Sequence, residues 1–276
     1  MIYGDSGRAL VDPGQPHISR VYDYLLGGKD NYGSDRAVGD QIIASAPTVQ
    51  VGVRAQREVL GRVVRFLVAE TGIRQLIDIG SGLPTAENVH QIAQRIDSGC
   101  RVVYVDNDPV VLAHARALLA DENATIAADG DLRDPKSITG DPAIRAHLDW
   151  EQPIGLLLCG ILHHILDSEH PGELTRTLGE ALAPGSYMFI HHLLESGDPA
   201  TKKVQAVLRA GMDRGQFRTL REVRGFFGDF ELVDPGLVLV PEWRPDADTL
   251  GVGDDPVLAM ACAGVARKPV AGTPAA

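Results

Sequence analysis

The strongest constraint on this chain begins at Gly72. From there, short apolar runs alternate with helical patterns. RQLIDIG, RVVYVD, ATIAAD, PIGLLLCG and SYMFIHH read as strands, and residues 85–97, 109–121 and 172–183 read as helices between them. Strands that alternate with helices join by crossovers into a mostly parallel sheet, with helices on both faces. The central runs are apolar throughout, as strands buried on both faces must be. The end of the chain breaks this rhythm. Thr219-Leu220-Arg221-Glu222 is a capping box that opens a helix reaching Phe227. FELVDPGLVLV and PVLAMACAGVA follow with no helix signal between them, so they pair most simply as antiparallel neighbours. The class is therefore α/β.

The first 71 residues have another texture. Ile18, Val21, Tyr22, Leu25 and Leu26 follow the spacing of one helix face. Gly27-Gly28 stops that helix. Ser34 is placed to cap a second, ending near Pro47, and a third runs from about Val51 to Glu70. The chain thus divides into a helical extension or lid over 1–71, a sheet domain over 72–268 and a flexible tail over 269–276. The first dozen residues also read as frayed.

Composition narrows the function. The net charge of −11 on 276 residues repels nucleic acid and anionic membranes on average. One stretch opposes that average: residues 201–225 sum to +5, which reads as a solvated helix face or an anion-binding surface. No apolar run approaches the roughly 20 residues of a membrane span. The N-terminus has no apolar signal core. Cys100, Cys159 and Cys262 are too scattered for a disulfide framework or a zinc site, so a reducing, cytoplasmic address is expected.

In open α/β sheets, ligands bind beyond the carboxyl ends of the strands. Four loops lie there. Asp78-Ile79-Gly80-Ser81-Gly82-Leu83-Pro84-Thr85 turns tightly on two glycines ahead of a helix N-terminus. The dinucleotide fingerprint asks for a third glycine where Thr85 stands. Asp106 follows Gly82 at about the spacing of an acid that grips ribose hydroxyls, while Asp108 suits a helix N-cap before Pro109. Asp129-Gly130-Asp131-Leu132 offers an acid and an apolar neighbour to a base ring, or is an ordinary turn. Cys159-Gly160 leads into His163-His164, where a histidine could act as a general base or merely bond to backbone. A second pair, His191-His192, could join the first around a metal. Adjacent histidines on extended backbone point to opposite faces, so no metal site is expected.

Together, D-x-G-x-G, the downstream acid, the G-D-L turn and the terminal hairpin resemble the class I, Rossmann-like S-adenosylmethionine-dependent methyltransferases. More narrowly, RVYDYLLGGKDNY, IDIGSGLPT, VVYVDNDPVVLAHARALL, ALAPGSYM and GDFELVDPGLV followed by Trp243 resemble one bacterial family, formerly a domain of unknown function and now labelled S-adenosyl methyltransferase. The resemblance implies a seven-stranded sheet of order 3-2-1-4-5-7-6 with the last strand antiparallel. It implies S-adenosylmethionine as cofactor. Asp78, Gly80, Ser81 and Gly82 would hold its methionine end, Asp106 the ribose, and Asn107, Asp131 and Leu132 the adenine. Cys159 and Gly160 would line the amino-acid and sulfonium side. His163 and His164 are this sequence's own candidates for a base. Tyr22, Lys29 and Asn31, clustered around Gly27-Gly28, are candidates for the substrate-selecting lid. The expected partners are a small-molecule methyl acceptor, methylated on oxygen or nitrogen, and a second copy of the chain. The competing readings are a non-catalytic S-adenosylmethionine-binding regulator and an NAD-dependent oxidoreductase.

Overall fold

The computed structural model describes residues 11–84, 87–119 and 123–270. Thr85, the first ten residues and most of the expected tail lie outside the described residues. The chain opens with three helices, α1 (Ile18–Leu25), α2 (Gly33–Ser45) and α3 (Val49–Arg65), the last running into a wider turn over Phe66–Glu70. Strands and helices then alternate: β1 (Gln75–Ile79), α4 (Val89–Ile96), β2 (Arg101–Asp106), α5 (Pro109–Leu118), β3 (Thr125–Asp129), α6 (Pro135–Gly140), α7 (Pro142–His147), β4 (Gly155–Cys159), α8 (Pro171–Ala181), β5 (Tyr187–Leu193) and α9 (Pro199–Met212). The chain closes with α10 (Leu220–Gly225), β6 (Glu231–Leu232), β7 (Val238–Leu239) and β8 (Ala261–Arg267).

The sheet order is β3-β2-β1-β4-β5-β8-β6, with β7 also paired to β8. The first five strands are parallel, and β8 runs antiparallel to β5, β6 and β7. This is the expected order with one strand in two pieces. FELVDPGLVLV is interrupted at Pro235, which has no N–H to give a ladder. PVLAM is not strand. It forms a 3₁₀ turn over Pro256–Met260, with the Asp255 carboxylate accepting from the Val257 N–H at 2.9 Å.

Other boundaries moved for local reasons. Ser34 does not cap α2; its hydroxyl donates to the Pro13 carbonyl, and Asp35 instead accepts from the Tyr32 N–H at 2.8 Å. The helix after β1 starts at Val89, where Gln91 accepts from the Asn88 N–H. Asp134-Pro135 and Asp141-Pro142 each open a short helix in the β3–β4 crossover, each aspartate capping the N–H groups behind its proline.

Adjacent residues of each strand enter opposite faces. Ile77, Val103, Leu156, Met188 and Ile190 pack with Ile138, Ile144, Leu178 and Val223 on one side. Leu76, Val102, Leu157 and Phe189 pack with Val59, Val63, Leu67 and Ile92 on the other. So α3 belongs to the sheet's own core. A third cluster joins α1 and α2 to α9 and the 256–260 turn through Val21, Leu25, Val38, Ile42, Val204, Leu208 and Met260. That cluster roofs the carboxyl ends of the strands.

Candidate active site

Beneath this roof lies a cavity of about 460 Å³, within the ~300–1,000 Å³ range of small-molecule sites. It collects all four strand-end loops singled out above. Asp78, Gly80, Ser81, Gly82, Asp106, Asn107, Asp131, Leu132, Cys159, Gly160, His163 and His164 all line it. Tyr22 lines it too, and its hydroxyl donates to the Val53 carbonyl at 3.3 Å. Lys29 and Asn31 are not brought there. Lys29 is exposed. The Asn31 amide donates to the Asp23 carboxylate and the Gly28 carbonyl, which staples the turn between α1 and α2.

The first loop turns because Gly80 and Gly82 take φ of +74° and +68°. The Gly80 and Ser81 N–H groups donate to the Val105 carbonyl, which tethers the turn to β2. A Cβ at Gly80 would lie 2.2 Å from Ile161 Cδ1, whereas one at Gly82 would meet nothing within 4 Å. The Gly82 side thus presents bare backbone to open space. Asp78 is buried below it, and that burial pushes its carboxyl up to about 7, with Asp106 adding to the rise and Arg57 opposing it.

Asp106 sits where β2 ends. One of its oxygens accepts from the Gly82 N–H and the other from the Asp108 N–H, both at 2.9 Å. Each oxygen keeps a free lone pair. Burial pushes this carboxyl up as well, against those two bonds. Asn107 donates to Asp131 at 2.9 Å, and Arg133 Nη1 donates to the same carboxylate at 3.0 Å. Burial alone would raise Asp131, but bonds from the Arg133 N–H, Asn107 and the Arg133 guanidinium hold it below the usual range. Leu132, buried, flanks it. On the far side, Gly160 has φ +75°, and a Cβ there would lie 2.5 Å from Gln56 Nε2. Burial pushes the Cys159 thiol up to about 12, so it is protonated, with Gln56 3.7 Å from its sulfur.

His163 and His164 follow β4 on a 3₁₀ turn over Leu162–His164, not on extended backbone. The expectation of one inward ring per pair therefore fails here, and both rings face the cavity, 4.2 Å apart. The rule holds on β5: His191 lines the cavity, while His192 turns away to Arg218 and the Leu193 carbonyl. Burial holds His164 and His191 down at about 3, and His163 well below its usual value, so all three are neutral imidazoles. Their Nδ1 atoms are buried with no protein partner. Among the described residues, no group of three or more His, Cys, Asp or Glu could hold a metal ion.

Several residues that shape the site were not foreseen. Arg20, buried on α1, donates to Asp35 at 3.1 Å and to Asp108 at 3.0 Å. His17 Nδ1 lies 3.0 Å from the same Asp108 oxygen. The N-cap reading of Asp108 is right, since it also accepts from the Val110 N–H, but it omits this link to α1. Gln56 and Arg57 reach the cavity from α3. Arg133 and Arg214 converge on Glu169, tying the Asp131 loop to the segment after α9. The basic stretch 201–225 is partly consumed in such roles. Arg218 is buried and staples residues 162–167, and Arg209 is bonded to Gly215 and Gln216.

The order of the sheet, its antiparallel final strand and the crevice at the ends of β1, β2 and β4 define a Rossmann-like methyltransferase fold. The family model described as S-adenosyl methyltransferase matches residues 5–269, and the chain belongs to that family of S-adenosylmethionine-dependent methyltransferases. A provisionally named methyltransferase from Thermobifida fusca YX is 42% identical, over 93% of this chain and 96% of its own, with a TM-score of 0.90. A DUF574 family protein from Streptomyces avermitilis MA-4680 is 39% identical, over 94% of this chain and 99% of its own, with a TM-score of 0.89. Human N-acetylserotonin methyltransferase, solved in complex with S-adenosylmethionine, shares the fold at 17% identity and a TM-score of 0.50, over 93% of this chain and 64% of its own. No protein of curated function matches the sequence.

Proposed function

We propose that the crevice holds S-adenosylmethionine and that the protein methylates an oxygen or nitrogen of a small molecule seated under α1, α2 and α9. The observation that carries this reading is the pair of buried carboxyls, Asp78 and Asp106, facing the crevice beside the open Gly82 backbone. A buried carboxyl raised to about 7 is only partly compensated, since burial outweighs the opposing charge of Arg57. An ammonium brought beside Asp78 would return it to the ionised form. Asp106 has lone pairs left for two hydroxyls. Asn107, Asp131 and Leu132 offer polar edges and an apolar face to a base. Gly80, Ser81, Cys159 and Gly160 offer room and weakly polar contacts along the methionine end.

When bound, the cofactor supplies a methyl group on a cationic sulfur. The chain's residues orient the acceptor and exclude water, and alignment of that kind can supply ~7–11 kcal/mol of the barrier. Tyr22, Lys29 and Asn31 belong to the covering element, with Asn31 acting through the shape of the α1–α2 turn that it staples and Lys29 exposed beside it. His163 and His164 are the residues available to take a proton from the acceptor. Calorimetry with S-adenosylmethionine, S-adenosylhomocysteine and NAD tests the reading: the first two should bind and NAD should not. Labelled methyl should then pass to a small-molecule fraction of cell extract. Failure of both sulfur compounds to bind overturns the proposal, and binding without transfer to any fraction favours a regulator.

A further inference from the structure

Resting on that cofactor reading, we infer that the acceptor is an uncharged, largely apolar molecule that presents a hydroxyl group to the histidines. The acceptor half of the cavity is walled by Leu25, Ile42, Val53, Val204, Leu208 and Met260, all of them buried core residues as well as lining. A charged molecule placed against such a wall loses its hydration with nothing in return. The ionic groups that line the cavity are otherwise engaged or lie on the other side. Arg214 donates to both oxygens of Glu169, and Arg133 to Glu169 and Asp131. Asp78, Asp106 and Asp131 stand at the ends of β1, β2 and β3, in the cofactor half.

What faces the acceptor instead is imidazole. His163, His164 and His191 line the cavity from the β4 turn and from β5, each with its Nδ1 buried and unpartnered. His192, outside the cavity, has both ring nitrogens engaged, so its tautomer is fixed. The three lining rings each leave Nδ1 without a protein partner. A neutral imidazole offers one donor and one acceptor, which serves both the O–H and the lone pair of a hydroxyl, but it carries no charge to balance a carboxylate or an ammonium.

The chemistry balances. The O–C bond forms as the C–S bond breaks, and the C–S electron pair stays on sulfur. The hydroxyl proton passes to an imidazole, so the positive charge moves from sulfur to histidine and the cavity's total is unchanged. An oxygen that has gained a methyl while keeping its proton is a far stronger acid than an imidazolium. A weakly basic, buried histidine can therefore still accept that proton. A carboxylate acceptor would instead leave the cavity neutral, and an ammonium would have to shed its proton before it could attack.

The test uses the whole protein saturated with S-adenosylhomocysteine, whose own binding is measured first. Calorimetry then compares 1-naphthol with 1-naphthoate and 1-naphthylmethylammonium. Naphthol should bind at least about tenfold more tightly than either ion. Leu208→Phe, and separately Met212→Trp nearer the rim, should weaken naphthol binding and leave the affinity for S-adenosylhomocysteine unchanged. If either ion binds as tightly as naphthol, or if none of the three binds, the inference is overturned while the cofactor reading stands. If S-adenosylhomocysteine does not bind, the cofactor reading falls instead.

Discussion

Gly80 and Gly82 share a backbone conformation but not an environment. Alanine at Gly82 should cost only the left-handed penalty, about 1–2 kcal/mol. Alanine at Gly80 also drives a methyl into Ile161, so its cost in urea denaturation should be larger by about 1–3 kcal/mol. Equal losses would mean that the Ile161 contact yields freely. Asp78 makes a second prediction. Its folded value of about 7 lies above the 3.8 of an ordinary aspartate, so its contribution to stability is present below pH 3.8 and lost as pH rises through 7. Asp78→Asn should therefore gain stability on the ligand-free wild type between pH 4 and 7 and keep that gain above. Its affinity for S-adenosylmethionine should fall roughly tenfold or more. His164 and His191 run the other way. Their folded values near 3 lie below 6.5, so their contribution is present above pH 6.5 and lost as pH falls toward 3. Thermal unfolding of Asp78→Asn, in which the opposing carboxyl is gone, should show that acid loss plainly.

At the scale of elements, the link between α1 and the β2 loop matters most. Arg20 lies between Asp35 and Asp108, both fully buried, and Asp108 donates its own N–H to Asp106. Arg20→Met leaves two buried carboxylates without their cation, a loss of about 3–5 kcal/mol. Urea denaturation should show that loss, and Asp35→Asn added to Arg20→Met should restore part of it. Cofactor affinity should fall in the single variant, since the loop that carries Asp106 loses its anchor. None of this was legible in the sequence. Arg20 and Asp108 are 88 residues apart, and the buried face of α1 reads there as Ser19, Arg20, Val21 and Leu25 with nothing to mark the arginine's partner. The Arg133–Glu169–Arg214 tie was hidden for the same reason. What was legible is local: glycines where the chain turns, an acid at the ends of β1, β2 and β3, and apolar runs for buried strands. Lys29 and Asn31 lie outside the cavity, because the turn beside Gly27-Gly28 bonds within itself through Asn31 and leaves Lys29 exposed. The orientation of the His163-His164 pair was misread because the chain leaves β4 at Cys159 and coils into a 3₁₀ turn over Leu162–His164, where an extended reading does not apply.

Across the whole molecule, no helix among the described residues is long and apolar enough to cross a membrane. The acidic average of the chain is also less diffuse than its total suggests. Buried pairings consume Asp35, Asp108, Arg20 and Arg218, while Lys202, Lys203, Arg209, Arg221 and Arg224 of the basic 201–225 stretch stay exposed, so the positive charge there remains a surface feature. The position of β8 has a further consequence, and it concerns time. β8, the last strand of this sheet in chain order, is inserted between β5 and the β6 edge, not laid on the outside. Until residues 261–267 emerge, β5 exposes an open ladder of seven residues along an almost wholly buried strand. Such an edge invites pairing with other chains. Nascent protein stalled before Ala261 should therefore aggregate, whereas chains ending at Pro269 should stay soluble. Fractionation of the two translation products by sedimentation distinguishes these outcomes. The sheet that builds the crevice becomes closed only once residues 261–267 have emerged, so a chain gains its capacity to bind ligand after β8 is in place.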